Sequence, residues 1–264
     1  MYLCVDVGGT KTIIALLDNR GKILHDVTFP TDKNQDAFYS TLLQQIKANF
    51  CLDGIKKAAI ALPGVIKNRE PVYFGNLPWK DFDIVKLLRQ DLGITFVIEN
   101  DANLAALGEA SKLHGRSIYL TFSTGIGGGI VENGQLAKRF KDFEPGHTEY
   151  VFNGRRQEWE DIASGKAIHD HYGRYFSDIH DEDVVTEVAE RIRLGLIPLC
   201  QSLKPDRVIF GGPVGLELAR YRKILKQYLN QECDKTPRLQ IARHGHYAVI
   251  HGCYLYAKNH HTNQ

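Results

Sequence analysis

Little in this 264-residue chain is in excess, and that excludes several functions at once. Lys and Arg number 33 against 31 Asp and Glu, a formal net charge of +2 with the two signs interspersed. Such a balance gives no footprint for a nucleic acid and no like-charged tail. No apolar run is long enough to span a bilayer. The N-terminal Met1-Tyr2-Leu3-Cys4-Val5-Asp6 has no basic stretch ahead of an apolar one, so neither a membrane span nor a secretory leader is expected. The five cysteines, Cys4, Cys51, Cys200, Cys233 and Cys253, are odd in number, scattered and without a C-x-x-C pair. That usage predicts reduced thiols and a cytoplasmic location. The G-x-x-x-x-G-K-[ST] and G-x-G-x-x-G signatures are also missing, which disfavours P-loop and Rossmann folds.

What is present is an alternation of strand and helix signals with a weak internal repeat. Residues 3–17 read as a strand, a turn at Gly8-Gly9 and a returning strand, followed by a polar turn at Asp18 to Gly21 and a third strand near 22–27. Residues 117–131 repeat that order, with a turn at Ser123 to Gly129 and a polar turn at Glu132-Asn133-Gly134. Between and after the hairpins, helices are predicted over 36–50, 83–92, 102–113, 181–203 (with Pro198 as the point for a bend), 214–229 and 247–257. Strands are predicted over 57–62, 95–98, 207–210 and 239–242. The fold class is α/β, in two lobes, 1–115 and 116–246. The helix from about 247 is placed to pack back onto the first lobe, and the polar residues 258–264 are expected to fray.

The two glycine turns carry the first chemical signal. Without a Cβ, backbone N–H groups can approach an anion closely. Asp6-Val7-Gly8-Gly9-Thr10-Lys11 adds a carboxylate, a hydroxyl and an ammonium. A carboxylate beside phosphates makes sense when a cation such as Mg²⁺ lies between them. A tight structural hairpin is the alternative for this turn taken alone. The second turn, Thr124-Gly125-Ile126-Gly127-Gly128-Gly129, has four glycines in five positions, an entropic cost an ordinary hairpin has no reason to bear. Two such turns opening two similar lobes suggest a nucleotide clasped in a cleft between them.

A second signal is Asp101 in Glu99-Asn100-Asp101-Ala102-Asn103, where a strand gives way to an Ala-rich helix. Asn and Asp there also serve as N-caps, but two acids and two asparagines exceed what capping needs. A carboxylate so placed can accept a proton from a hydroxyl attacking a phosphate, with Asn100 orienting the same substrate. A third polar cluster, Glu144-Pro145-Gly146-His147-Thr148-Glu149 and then Glu158 to Asp161, offers carboxylates and an imidazole for vicinal sugar hydroxyls. A solvated loop is its other reading. His169, His171, His244, His246 and His251 lack ligand spacing and read as structural or surface groups.

Together with Pro63-Gly64, Asn76-Leu77-Pro78-Trp79 and Gly211-Gly212-Pro213, these stretches resemble the ROK family of sugar kinases and repressors, within the actin-like ATPase superfamily, over nearly the whole chain. The resemblance implies two actin-like lobes, ATP and Mg²⁺, and transfer of a phosphoryl group to a hexose, with glucose as the default. It implies Asp101 as general base, with Asn76, Asn100, Glu144, His147 and Glu160 on the sugar. Asp6 would meet the metal. Gly8, Gly9, Thr10, Lys11, Thr124, Gly125, Gly127 and Gly128 would face the phosphates, and Gly211 and Gly212 the adenosine. A homodimer is the family expectation. Polyphosphate-dependent glucokinases of the same family make polyphosphate the alternative donor. A sugar-sensing regulator is the non-enzymatic alternative, although the chain begins at the phosphate hairpin with no room ahead of it for a helix-turn-helix. The family's zinc cysteines fall here on Val151, Asn153 and Glu158. No structural zinc is therefore expected, and the loop is expected to be held by packing, through Trp159.

Overall fold

Apolar strands flanked by glycine turns build two sheets of the same plan in a computed structural model of the protein, which describes residues 1–67 and 70–260. The chain divides into two units, one formed by 1–108 with the C-terminal segment from 247 onward, the other by 109–246.

In the first unit, β1 (Tyr2–Val7), β2 (Lys11–Leu17) and β3 (Ile23–Pro30) form an antiparallel meander. After α1 (Gln35–Asn49), β4 (Lys57–Leu62) pairs parallel to β1. A short hairpin, β5 (Val65–Lys67) and β6 (Glu70–Tyr73), leads to α2 (Ile84–Leu92), and β7 (Phe96–Asn100) then adds parallel to β4. The order is β3-β2-β1-β4-β7. The continuous apolar run Ala58 to Leu62 suits a central parallel strand covered on both faces. Helix α1 starts where Asn34 Oδ1 accepts from the N–H groups of Asp36 and Ala37. It buries Phe38, Leu42 and Ile46, one turn apart.

Helix α3 (Asp101–Ala110) follows β7 directly. It meets the C-terminal helix Ala248–Asn259 at two small residues: a Cβ on Gly252 would fall onto the Leu104 carbonyl, and one on Gly108 onto the Ala248 carbonyl. The same C-terminal helix is fixed to the first sheet by Cys253 Sγ on the Val5 carbonyl (3.6 Å) and by the Tyr2–Tyr254 edge contact (5.0 Å).

The second unit repeats the topology. The strands β8 (Arg116–Phe122), β9 (Ile126–Glu132) and β10 (Gln135–Leu136) form its meander. Next come the hairpin β11 (Glu149–Phe152) and β12 (Arg155–Glu158), then α4 (Trp159–Ala163), α5 (Gly165–Tyr172) and α6 (Glu182–Leu203). The unit closes with β13 (Arg207–Gly211), α7 (Gly212–Leu216), α8 (Leu218–Glu232) and β14 (Arg238–Ile241). The sheet order β10-β9-β8-β13-β14 matches the first sheet strand for strand, so the repeat seen in the sequence is a repeat of fold.

Several elements differ from the sequence expectation, which did not include α5 or the β5–β6 hairpin. The helix expected over 214–229 is two helices, α7 and α8, with Glu217 between them outside helical geometry. The helix expected over 102–113 ends at Ala110. The polar stretch read as a sugar-binding cluster or a solvated loop folds, from Glu149 to Ala163, as a hairpin turning at Asn153-Gly154, both at positive φ, and a short helix. All five cysteines are free thiols. No helix among the described residues is long and apolar enough to cross a membrane. The expectation of a frayed tail falls in part on 261–264, outside the described residues.

The Gly252–Leu104 contact leaves no room for a methyl group. Gly252→Ala should cost about 1–3 kcal/mol, as overpacking of a close interior contact does, read as a lower midpoint in urea denaturation.

Candidate active site

The chemical groups of the first unit gather at the carboxyl ends of β1, β4 and β7, the end of an open α/β sheet where ligands bind. The first glycine turn joins β1 to β2: the Gly8 N–H donates to the Lys11 carbonyl (3.0 Å), and Gly9 has open space where a Cβ would stand. Lys33 Nζ donates to the Gly9 carbonyl (2.7 Å) and the Thr31 N–H to the Thr10 carbonyl (2.9 Å), so the turn is braced from the end of β3. Thr10 and Lys11 are exposed.

Asp6, half-buried in β1, lies within electrostatic range of Asp101. Burial, then the Asp101 charge, push its carboxyl up to about 8, against the opposing pull of Lys11. Hard carboxylate oxygens whose ionisation is opposed in this way suit a divalent cation, and Asp6 fits a Mg²⁺ on that ground.

Asp101 is the first residue of α3, and its Oδ1 accepts from the next N–H, that of Ala102 (2.7 Å). The cap itself is Asn100, whose Oδ1 accepts from the Asn103 N–H (3.0 Å) and whose Nδ2 donates to the Gly64 carbonyl (2.8 Å). The buried Asn100 amide is thus a brace of the fold, with one N–H left for a ligand. Gly64, at φ +94°, lies so close to Tyr73 and Gly75 that only glycine fits. It thereby ties the Asn100 amide to the 74–77 turn, on which Asn76 is exposed.

In the second unit, Glu160 is the hub. Its Oε2 accepts from the Ile126 N–H (3.2 Å) and rests against the α-carbons of Gly125 and Gly146, where a Cβ on either would stand 2.5 and 3.0 Å from it. One carboxylate therefore touches the end of the second glycine turn and the Pro145–His147 turn together. The glycine turn is closed by Ser123 N–H on the Gly125 carbonyl (2.9 Å), and the start of α5 docks on it through Lys166 N–H to the Ser123 carbonyl (3.1 Å).

His147 Nδ1 and Glu158 Oε2 are 2.8 Å apart. That bond, against some burial, and the neighbouring carboxylates raise the imidazole above its ordinary value. Burial chiefly raises Glu144, with Glu160 and Asp142 adding to it and His147 opposing. Thr124 is exposed and Gly127 half-exposed on β9, whereas Gly128 is buried beneath Phe143 and Pro145, whose atoms account for its missing side chain. Gly211 packs on the Tyr119 ring and Gly212 turns at φ +72° against the Phe122 backbone.

Two features were not read from the sequence, although Glu158 lay in its polar cluster. The first is a cavity of about 330 Å³ beside the second turn, lined by Ser123, Thr124, Lys166, His169, Tyr175, Phe176 and Pro213 among others. His169, read from sequence as a surface group, forms its wall with Tyr175, ring centroids 4.8 Å apart. The second is Glu158 as partner of His147. With Glu160 these residues bring a ring nitrogen and carboxylate oxygens within 4.8 Å of one another, so His147 does not stand alone as a metal donor. This set is harder than the thiolates expected of a structural zinc.

Asp6 yields a prediction. Its folded value near 8 lies above the ordinary 3.8, so between those limits the folded state binds the extra proton. Stability then falls as pH rises through that window. In magnesium-free buffer the unfolding midpoint of the wild type should drop from pH 5 to pH 8, and Asp6→Asn should flatten that drop.

A profile of the ROK family matches residues 2–260. The glucokinase of Streptomyces coelicolor is 31% identical over 62% of this chain and 56% of its own, so the aligned part spans little more than half of that relative. The fructokinase of Zymomonas mobilis is 28% identical over 81% of this chain and 80% of its own. Regulators match too: the xylose repressor of Bacillus spizizenii is 32% identical over 62% of this chain and 48% of its own. A ROK family glucokinase from Streptomyces griseus, crystallised with glucose and AMPPNP, superposes with a TM-score of 0.82 at 25% identity, covering 98% of this chain and 99% of that one. The two sheets are those of the two-lobed actin-like fold of these proteins. With the profile running through both units, the chain belongs to the ROK family.

Proposed function

We propose that the protein transfers the γ-phosphoryl group of ATP to a hydroxyl of a hexose, with glucose as the first choice of acceptor. The observation that carries this reading is Asp101 at the start of α3, a helix already capped by Asn100, set against Asp6 beneath the first glycine turn. Asp101 takes the proton of the attacking hydroxyl as the new O–P bond forms and the bond to the β-phosphate oxygen breaks, releasing ADP. Mg²⁺ held at Asp6 would supply charge neutralisation to the phosphates.

Glu144, His147 and Glu160 hold sugar hydroxyls, with Asn76 and the remaining N–H of Asn100. The backbone of the two glycine turns faces the phosphates through Gly8, Gly9, Thr10, Lys11, Thr124, Gly125 and Gly127. The 330 Å³ cavity beside Thr124, with its aromatic wall, suits a nucleoside and favours ATP over polyphosphate as donor. Glucokinases among the relatives support glucose, and the fructokinase keeps fructose in the test.

The decisive experiment is ADP release across a hexose panel, with polyphosphate run in parallel as donor. Asp101→Asn should lower kcat by about 10²–10⁴, the usual range for general-base loss, with sugar affinity by calorimetry within a few-fold of wild type. Near-normal turnover in that variant would remove Asp101 from the chemistry, and a repressor-like sugar binder would give binding without ADP release.

A second test uses the His147–Glu158 bond. A raised folded value means that the protonated imidazole persists above the ordinary histidine range and is lost as pH climbs through the higher value. Sugar KM should rise over that interval, and Glu158→Gln should move the rise to lower pH.

A further inference from the structure

Trp159 sits between the two carboxylates that shape the sugar site, Glu158 and Glu160, and is itself wholly buried. Its ring packs edge-on to Phe122 (5.5 Å) and faces α6 at Gly195, where any Cβ would collide with the indole. Glycine is a poorer helix former than alanine, yet Gly195 lies inside the 22-residue α6, and the atoms a side chain there would meet first are those of this ring. The indole Nε1–H donates to the Arg191 carbonyl on the same helix (3.2 Å), and the Trp159 N–H to the Thr148 carbonyl (2.9 Å).

Arg191, whose carbonyl takes that bond, is only 4% exposed, and its side chain ties the surrounding elements together. Its Nη1 donates to the Ile162 carbonyl at the end of α4 (3.3 Å), its Nη2 is paired with Glu187 (2.6 Å), and its guanidinium lies 5.2 Å from the Phe152 ring on the hairpin. Hairpin, α4 and α6 are thus joined at one buried indole. The next residue after that indole is Glu160, whose carboxylate is bounded on three sides by Gly125, Gly146 and the Ile126 N–H.

We propose that Trp159, seated on Gly195 and Arg191, is a positioning residue that sets the Glu160 carboxylate for the sugar. A small displacement of the indole would carry the Glu160 backbone with it and break the three-sided fit at Gly125, Gly146 and Ile126. The proposal rests on the reading of Glu160 as a sugar ligand, and the mechanical link lies wholly within the second unit.

Gly195→Ala tests it. The added methyl should raise hexose KM by about ten-fold or more, with donor KM within about two-fold and kcat within a few-fold, the pattern of lost ground-state sugar binding. A merely structural lesion would not single out the sugar. The sharper measurement is a double-mutant cycle with Glu160→Gln: if the indole acts through Glu160, the double variant should be no worse for hexose KM than Glu160→Gln alone, and losses that multiply would overturn the proposal. If Gly195→Ala shows no cooperative melt, Trp159→Phe replaces it in the same cycle. That variant keeps an aromatic ring and drops the bond to Arg191, and the same non-additivity is expected at smaller amplitude. Unchanged hexose KM in a folded Gly195→Ala protein, with Glu160→Gln impaired, defeats this proposal alone. A wild type that phosphorylates no hexose, or Glu160→Gln with normal hexose KM, defeats the functional reading and this proposal with it.

Discussion

Carboxylates held close to one another, against their own repulsion, are the constraint around which the structure is arranged. In the first unit Asp6 is raised by burial and by Asp101, and in the second Glu144 is raised by burial and, in part, by Glu160. Left to themselves such groups separate or take up protons. Here each is held by ordered backbone: Asp6 near the carboxyl end of a strand paired on both sides, Asp101 at a helix start fixed by the Asn100 cap, Glu160 between two glycines and an N–H. The folded state carries that opposition in the absence of ligand. A cation or a set of hydroxyl donors relieves it, so the sites are preorganised for partners that supply positive charge or hydrogen-bond donors.

The repeated sheet explains why these groups stand where they do. In each unit the first two strands are joined by the glycine turn, and the parallel strands beside them end where the other chemical groups begin: Pro63-Gly64 after β4 and Asn100-Asp101 after β7 in one, Gly211-Gly212 after β13 in the other. One plan of hairpin and parallel crossovers therefore delivers glycine-rich backbone at the carboxyl end of each sheet. The units differ in what is added to it. The first adds acids on strand and helix ends; the second adds a hairpin and a short helix after the Pro145–His147 turn, with Glu160 at their junction.

That difference decides what could be read from the sequence. Strand–turn–helix junctions are local, so the glycine turns, the strand 57–62 and the junction at Asn100-Asp101 are visible in consecutive residues. The two readings of Asn100 divided: the cap bond to the Asn103 N–H belongs to Asn100, whose amide is thereby largely committed to the fold, whereas Asp101 bonds the next N–H at the helix start. Gly128 looked like its neighbours in a glycine run, yet it is small because Phe143 and Pro145 lie over it, a contact some 15 residues away that no spacing rule announces. The wall of His169 and Tyr175 and the His147–Glu158 bond are of the same kind. Both depend on where loops return, and loops carry no period.

The loop around Trp159 carries this furthest. In sequence, the absence of cysteines at Val151, Asn153 and Glu158 leads to the expectation that packing through Trp159 orders the segment, but not to what Trp159 packs against. A metal cluster orders a loop by bonds with set directions, which is why its ligands announce themselves by spacing. A buried indole orders a loop by shape, and shape is complementary to residues that need not be near in sequence: here Gly195, 36 residues further on, and the Arg191 backbone, whose carbonyl takes the indole N–H. Directional bonds survive small shifts of the surrounding packing, whereas a shape-based seat transmits them, because a close-packed interior resists a displacement of one group without moving its neighbours. A loop held in this way is therefore tied to the packing of α6 as a thiolate-ligated loop would not be. The carboxylate beside the indole inherits that tie.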